Sequence, residues 1–212
     1  MSSFDLLTIG HSNIPADRFI GLLRGAGADA VADVRSTPAS RFCPWFSGKN
    51  LAARLQQEGM VYAAFGDALG GRPRDASLYC DGIADYEAMV KQPGFHAGLD
   101  RLLEIAAQCR VCLMCAEREP LDCHRCLLVA RALAERGVTV GHILHDGVIE
   151  AHDATERRLL ALCGGGDDLF TGQAERLAAA YRRRARAVAY RAKANAKGAK
   201  GAKGANLAAG MR

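Results

Sequence analysis

The chain has 212 residues, half of them apolar and 24% charged, so it can bury a core and is not disordered by composition. Its length corresponds to one domain, or one domain with an extension, and excludes a repeat array or a large multidomain enzyme. The net charge is +5, but ten of the 28 Lys and Arg residues lie in 181–212, which contains no Asp or Glu. Residues 1–180 therefore hold 18 basic and 23 acidic residues, and we expect an acidic body with a basic extension.

The compartment is predicted from the start of the chain and from the cysteines. The first residues lack a basic region followed by an apolar stretch, and no apolar run approaches the ~20 residues that cross a bilayer. The eight cysteines occur in a chain with enough aliphatic residues to fold without disulfides. We expect a cytoplasmic protein with reduced thiols and no membrane partner. Its oligomeric state stays open.

Strand and helix patterns alternate along the chain. Apolar runs predict five strands, at residues 6–9, 30–35, 61–65, 110–115 and 138–144. Helical spacing predicts helices after Pro15, over 51–59, across 95–106 and over 123–136, with Gly137 as a stop signal. Parallel neighbours need crossover connections, so this alternation predicts an α/β fold. The expected architecture is a mostly parallel five-stranded sheet with helices on both faces, a Rossmann-like three-layer arrangement.

The regions outside these elements suggest further boundaries. We predict an α/β domain over 1–165, a basic helix within 166–194 and a disordered Lys/Gly/Ala tail over 195–212. Residues 66–84 form a long glycine-containing loop, of a kind more often functional than idle in a compact domain. Gly70 and Gly71 in this loop are candidate ligand-binding residues.

Polar residues follow four of the predicted strands. In parallel sheets ligands bind outside the carboxyl ends of the strands, so these residues are expected to converge on one edge. The strand ends carry His11, Ser12 and Asn13; Asp33 and Arg35; Cys115 and Glu117; and His142 with the following His145 and Asp146.

Asp33 and Arg35 lie two residues apart on a strand and therefore point to the same face. Such a pair is either a structural ion pair or an anion site with an orienting acid. The hydroxyl-rich loop that follows, including Ser40, favours the anion site. The chain lacks the glycine pattern of a dinucleotide fold and the Gly-Lys-Ser/Thr pattern of a Walker loop.

Five cysteines between residues 109 and 126 suggest a metal site, but strand geometry argues against the first three. Cys109 and Cys115 share a face of the strand while Cys112 points to the other, so they cannot converge on one ion. We therefore predict no metal ligands. A zinc-deaminase pattern is incomplete, because only five residues separate Glu117 from Cys123. Cys123 and Cys126 at a helix start also leave thiol redox chemistry open.

The remaining interpretation places a Cys-x-Glu strand end opposite a Cys-His-Arg helix start. Either Cys115 or Cys123 is a candidate nucleophile, Glu117 a candidate acid or base, and His124 a proton carrier or hydrogen-bonding group. Arg125 beside a helix N-terminus would bind an anion. The alternative is a purely structural network that holds the loop.

Taken in order, these motifs resemble the domain-of-unknown-function 488 family. The resemblance covers about residues 5–150 and implies a small α/β domain of bacterial or archaeal type with no established reaction. Its most specific part is the Cys-x-Glu and Cys-His-Arg block, while Cys109, Cys112, Cys126 and the basic tail lie outside the pattern. The motifs are Gly10-His11-Ser12-Asn13, Asp33-Val34-Arg35 with Pro38 and Ser40, Leu69-Gly70-Gly71, Leu113 to Glu117, Cys123-His124-Arg125, and His142-Ile143 with Asp146-Gly147.

Three functional hypotheses follow from the sequence. The first is an anion or phosphate site for a nucleotide or nucleic-acid end, with enzyme chemistry at the Cys/Glu/His residues. The second is a nucleic-acid-binding module that acts through the basic tail. The third is a thiol redox or metal-binding protein. The sequence leaves the cofactor unknown, and it does not decide whether the chain is an enzyme.

Overall fold

The computed structural model describes residues 4–163 and 172–192. Its main sheet has six strands, in the spatial order β3-β2-β6-β1-β7-β8, and every pairing except β7 with β8 is parallel. The strands of this sheet are β1 (Leu6–Gly10), β2 (Ala30–Asp33), β3 (Val61–Ala64), β6 (Val111–Cys115), β7 (Val140–Ile143) and β8 (Ile149–Ala151). The α/β class and the mostly parallel sheet are thus confirmed.

Eight α-helices of the described residues flank the sheet or line its loops. They are α1 (Ala16–Gly25), α2 (Gly48–Gln57), α3 (Gly66–Leu69), α4 (Tyr86–Met89), α5 (Pro93–Ala106), α6 (Arg131–Ala134), α7 (His152–Leu162) and α8 (Gln173–Val188). A π-helical stretch, Arg125–Ala130, precedes α6 and continues into it, so the helix predicted over 123–136 begins with π-type geometry.

The sheet separates two apolar cores. On one face, α1 and α2 pack against residues such as Leu7 and Cys112; on the other, α5, the Arg125–Ala134 helix, α7 and α8 pack against residues such as Leu6 and Cys115. Cys112 and Cys115 belong to different cores because successive side chains of a strand point to opposite faces. The molecule therefore has the three-layer arrangement that the alternating pattern predicts.

The sixth strand, β8, differs from the five-strand prediction. It pairs antiparallel with β7 through a tight turn at Gly147, whose φ of +92° is in the region that favours glycine. This strand has three half-buried residues, so it has no apolar run from which it could be predicted. The helix that follows it, α7, was also not predicted.

The loop over 66–84 contains α3 and a small antiparallel pair, β4 (Tyr79–Cys80) and β5 (Ile83–Ala84). The C-terminal segment after α8 returns to this pair. Ala84 N–H donates to the Tyr190 carbonyl at 2.9 Å, and Ala192 N–H donates to the Gly82 carbonyl at 2.8 Å. The end of the described chain is therefore fixed beside the loop.

A buried chain of hydrogen bonds joins β1, β7, α7 and α8. The Thr8 hydroxyl lies 2.7 Å from Nδ1 of His142, whose Nε2 lies 2.9 Å from Nδ1 of His152. Nε2 of His152 lies 3.0 Å from the Tyr181 hydroxyl, which donates to Glu156 at 2.9 Å. Burial lowers the pKa of both imidazoles and keeps them neutral, and because Tyr181 donates to the carboxylate, the direction of every bond in the chain is then set.

The basic helix is observed as α8, and the predicted disordered tail, 195–212, lies outside the described residues. Within α8, Arg184 pairs with Asp122 and Arg186 with Asp81, so part of its charge is compensated by the acidic body. Among the described helices, none combines the length and the apolar character needed to cross a membrane.

Candidate functional site

A pocket of about 440 Å³ opens at the carboxyl ends of β1, β2 and β6. A volume of this size suits a small organic ligand. The pocket is lined by His11, Arg35, Ser36, Thr37, Ala39, Ser40, Gly71, Arg72, Tyr86, Cys115, Ala116, Glu117, Asp122, His124, Val188 and Tyr190. Three of the four strand ends that the sequence singles out therefore meet here. The fourth strand end, after β7, does not line this pocket. Its His145 contacts the end of β1 instead, with Nε2 2.7 Å from the Gly10 carbonyl.

Arg35 is the buried cation of the pocket. Its Nε–H donates to Asp33 Oδ1 at 2.9 Å, and its Nη2 donates to Asp33 Oδ2 at 2.6 Å and to the Phe46 carbonyl at 2.8 Å. Its Nη1 lies 3.0 Å from Nε2 of His11. A guanidinium has five N–H groups, and these contacts use four of them. Asp33 lies behind Arg35 and holds it in place, and Asp33 itself does not line the pocket.

His11 is neutral and has one defined tautomer. Its Nδ1 donates to the Ser12 carbonyl at 2.7 Å, so its Nε2 accepts from Arg35. Burial, together with the charge of Arg35, lowers the pKa of His11 to about 4. Ser12, with a φ of 46°, and Asn13 are not among the residues that line the pocket. Ser12 N–H donates to the Ala116 carbonyl at 2.8 Å and so joins the ends of β1 and β6.

Cys115, Glu117, Cys123 and His124 form a compact cluster at the floor of the pocket. The thiols of Cys115 and Cys123 each lie 3.0 Å from the same oxygen, Oε2 of Glu117. Nδ1 of His124 lies 3.6 Å from the Cys115 sulfur and 3.9 Å from the Cys123 sulfur. One ligating atom from each residue lies within 4.8 Å of all the others. Cys115, Glu117 and His124 line the pocket, and Cys123 lies behind them.

The tautomer of His124 is set from outside the cluster. Its Nε2–H donates to the Val34 carbonyl at 2.9 Å, so Nδ1 faces the two sulfurs. Burial opposes protonation of the ring, but the contacts with Cys123 outweigh it and raise the pKa of His124. The backbone of Gly71 packs on this ring, and a Cβ added at Gly71 would lie 2.7 Å from His124 Cγ. Gly71 is thus required for close packing against the imidazole. Gly70 packs in the same way on Ser36 and Gly66, away from the pocket.

The cluster contains three acidic groups, the thiols of Cys115 and Cys123 and the carboxyl group of Glu117, and both thiols contact the same oxygen of that carboxyl group. Ionisation of one group therefore disfavours ionisation of the other two. Burial, reinforced by Cys123, raises the pKa of the Cys115 thiol well above its ordinary value, and burial also raises the pKa of Glu117. Burial opposes ionisation of Cys123 as well, but the Cys115 thiol, Arg125 and His124 outweigh it and lower the pKa of Cys123. Ionisation of all three groups at once is therefore disfavoured.

Arg125 lies beneath the pocket rather than in its lining. It is completely buried, and its Nη1 and Nη2 donate to the carbonyls of Glu117 and Arg118 at 2.6 and 3.0 Å. Its backbone N–H donates to the Cys123 sulfur at 3.4 Å. Arg125 therefore positions the Glu117 loop and supplies positive charge to the cluster from below.

Several lining residues were not predicted from the sequence, notably Tyr190, Val188, Arg72 and Tyr86. Arg72 lies over the Tyr190 ring at 4.7 Å, which closes one rim of the pocket with the C-terminal segment. These residues come from parts of the chain far apart in sequence, so no local pattern could place them together. Ser40, which was predicted, lines the pocket and accepts from the Cys43 N–H at 3.0 Å.

Comparison with known protein families tests the resemblance of the sequence motifs to the domain-of-unknown-function 488 family. A family model described as "Domain of unknown function DUF488" matches residues 15–132, more than half of the chain. The chain belongs to the DUF488 family. The match includes Arg35, the whole cluster and Arg125, but it is shorter than the 5–150 range of the resemblance and omits the β1 and β7 ends. No curated protein and no solved structure matched the chain.

The DUF488 match covers the groups that build the pocket floor, while the C-terminal residues that close its rim lie outside it. Val188 and Tyr190 come from after the matched range. The site of this DUF488 protein therefore combines a floor from the family domain with a rim from the basic extension.

Proposed function

We propose that the pocket binds a small phosphate-bearing molecule and that the cluster at its floor carries out chemistry on that molecule. The observation that carries this proposal is that Arg35 is fixed in place and still has an N–H group to donate. It is buried, held by Asp33 and the Phe46 carbonyl, and keeps one N–H beyond its four contacts on a guanidinium that lines the pocket. A guanidinium held in this way is suited to phosphate oxygens.

Other lining groups support a phosphate ligand. Ser36, Thr37 and Ser40 place hydroxyl groups around Arg35, and Arg72 adds a second, exposed cation at the rim. The Ser36 hydroxyl oxygen accepts from the Arg72 N–H at 2.9 Å, which leaves its own O–H available as a donor. The bound molecule would lie against Cys115, Glu117 and His124, and this contact makes the proposed function that of an enzyme rather than of a carrier.

Replacing Arg35 tests the pocket. Binding of inorganic phosphate, pyrophosphate and adenosine monophosphate to the full chain is measured by isothermal titration calorimetry. We expect Arg35→Lys to weaken binding by roughly tenfold or more, because lysine keeps the charge and loses the planar fork. Arg72→Gln at the exposed rim should weaken it by a smaller factor.

The matched control is Arg74→Gln, since Arg74 is exposed and pairs with Asp67 outside the pocket. Its affinity should equal that of the parent. Circular dichroism shows whether each variant is folded, and Arg72→Gln remains informative if Arg35→Lys is not. A parent that binds none of the three probes, or equal affinities in all variants, would contradict the proposal.

A second candidate function is binding of a nucleic-acid backbone by the basic C-terminal residues. The observation that favours it is the position of the segment after α8. Tyr190 lines the pocket and Ala192 is hydrogen-bonded to Gly82, so the chain continues from the pocket rim into residues that include Lys193, Lys197, Lys200 and Lys203. The extension would hold a polymer near the pocket.

Neutralising these lysines tests the second candidate without shortening the chain. Replacing Lys193, Lys197, Lys200 and Lys203 by Gln removes four charges, so we expect weaker binding of single-stranded DNA and a salt slope reduced by up to about 3. Fluorescence anisotropy across a salt series measures both quantities. An unchanged slope would contradict this candidate function, because it would show that these four lysines make no contacts with the nucleic-acid backbone.

A further inference from the structure

The cluster of Cys115, Glu117, Cys123 and His124 has the donor atoms of a transition-metal site. Two thiols, one imidazole and one carboxylate are the ligands that zinc uses in proteins. Zinc bonds of about 2.3 Å to sulfur and about 2.0 Å to nitrogen place neighbouring ligand atoms roughly 3.3–3.8 Å apart. The sulfur-to-oxygen distances here are 3.0 Å and the sulfur-to-nitrogen distances 3.6 and 3.9 Å. Small side-chain adjustments therefore suffice to surround one ion.

The surroundings of the cluster resemble those of a metal ligand set. Metal-binding histidines usually donate their second N–H to a carbonyl or carboxylate, which directs the free lone pair at the ion. His124 makes such a contact by donating its Nε2–H to the Val34 carbonyl. The backbone N–H of Arg125 donates to the Cys123 sulfur, a contact that stabilises a thiolate whether or not it is bound to an ion.

The charge balance also favours an ion. Arg125 is completely buried, and its Nη1 and Nη2 donate to the carbonyl groups of Glu117 and Arg118, so no carboxylate among these contacts compensates its charge. Two thiolates, one carboxylate and a divalent cation sum to −1, which Arg125 would compensate. Both sulfurs lie 3.0 Å from the same carboxylate oxygen, so one ion between them can contact all three groups.

A second group of potential ligands in the described residues lacks these features. Cys126, His142 and His152 also lie within 4.8 Å of one another. However, both ring nitrogens of His142 and both of His152 are used in the hydrogen-bonded chain from Thr8 to Tyr181. No imidazole lone pair is left for an ion there, so that group is a structural network.

We propose that Cys115, Cys123, His124 and Glu117 bind one thiophilic divalent cation, preferably zinc, at the floor of the pocket. Cys115, Cys123 and His124 are buried and form the fixed part of the site, whereas Glu117 is the exposed member and the ligand that exchanges. The proposed ion adjoins the pocket, but its binding is independent of the phosphate ligand.

Cobalt titration of the reduced, metal-free full chain tests this proposal. We expect one equivalent of Co²⁺ to produce a thiolate-to-cobalt charge-transfer band and the visible bands of four-coordinate cobalt, with Zn²⁺ abolishing both. Cys115→Ser and Cys123→Ser should lower the affinity by roughly 100-fold or more and remove most of the charge-transfer band. Cys80→Ser, at an exposed thiol away from the cluster, should titrate like the parent.

Glu117→Gln keeps the experiment decisive if the cysteine variants fail to fold. Glu117 keeps part of its surface in solvent although its carboxylate contacts both sulfurs, and glutamine has the same shape, so this variant should fold. We expect a weaker affinity, by roughly tenfold, with an altered visible spectrum and a retained charge-transfer band. A parent without a one-to-one cobalt spectrum overturns the proposal, as does an unchanged spectrum in every folded variant. A Cys115–Cys123 disulfide without metal in freshly purified protein, found by mass spectrometry, also overturns it. Phosphate binding is measured separately, so either proposal can fail alone.

Discussion

Replacing Gly10 by alanine is expected to destabilise the protein by about 3 kcal/mol or more, because the last residue of β1 has no room for a side chain. A Cβ at this position would lie 1.8 Å from the Glu117 carbonyl oxygen and 3.0 Å from Nη1 of Arg125. That oxygen is held in place by the buried Arg125, so the clash must move the loop that carries Glu117. Urea unfolding followed by circular dichroism measures the loss.

Gly21→Ala is the matched control for this substitution. Gly21 is exposed within α1, and an added Cβ would meet nothing within 4 Å. Alanine has the higher helix propensity, so the control should stabilise the protein by roughly 0.5–1 kcal/mol. If Gly10→Ala changes the free energy of unfolding by less than about 1 kcal/mol, the close approach of β1 to the Glu117 loop is wrong.

The buried histidine pair is expected to make the protein sensitive to acid. Burial lowers the pKa of His152 to about 4 and the pKa of His142 well below its ordinary value. Because the unfolded chain then binds protons first, the contribution of these groups to stability is present above pH 6.5 and is lost as the pH falls from 6.5 towards 4. For His152 alone, the shift from 6.5 corresponds to about 3 kcal/mol.

The groups around the pair come from every element packed on it. Arg125 and Arg158 lower the pKa of His142 further, after burial and His152, while Asp153 acts in the opposite direction on His152. The remaining neighbours are Thr8, Cys126, Glu156 and Tyr181. Protonating His152 at Nδ1 places its N–H against the N–H of His142, and this conflict adds to the effect of burial.

Unfolding curves between pH 7 and pH 4.5 measure this effect. The parent should lose stability steadily over the range, whereas His152→Gln should be less stable at pH 7 and show a shallower pH dependence. His96→Gln, at an exposed histidine on α5, serves as the control. Identical slopes in the parent and in His152→Gln would exclude a role for the pair in acid sensitivity.

Most of the fold could be predicted from the sequence because strong local patterns specify it. The five predicted strands correspond to β1, β2, β3, β6 and β7, whose apolar runs stand out from the helices between them. β8 was missed because it has only three residues and α7 because its first two turns are mostly polar, and they owe their structure to pairing with β7 and packing on α8. Such tertiary contacts leave little local signal.

The candidate site was partly predictable for a related reason. Parallel strands bring their carboxyl ends to one edge, so the convergence of His11, Arg35 and Cys115 on the pocket follows from the strand pattern. The positions of Asp33 and Arg125 behind and beneath the pocket do not follow from it. Whether a charged residue faces a ligand or supports a loop depends on its rotamer and on the carbonyl groups within its reach.

The sequence by itself determined an α/β body of acidic character, a basic extension and the grouping of reactive side chains at strand ends. These properties depend on composition and on the periodicity of neighbouring residues. Only the tertiary structure decided that two thiols contact one oxygen of Glu117, that the Val34 carbonyl orients the His124 ring with Nδ1 towards them, and that Tyr190 closes the pocket. These contacts join residues from different elements, so packing of the whole chain fixes their distances.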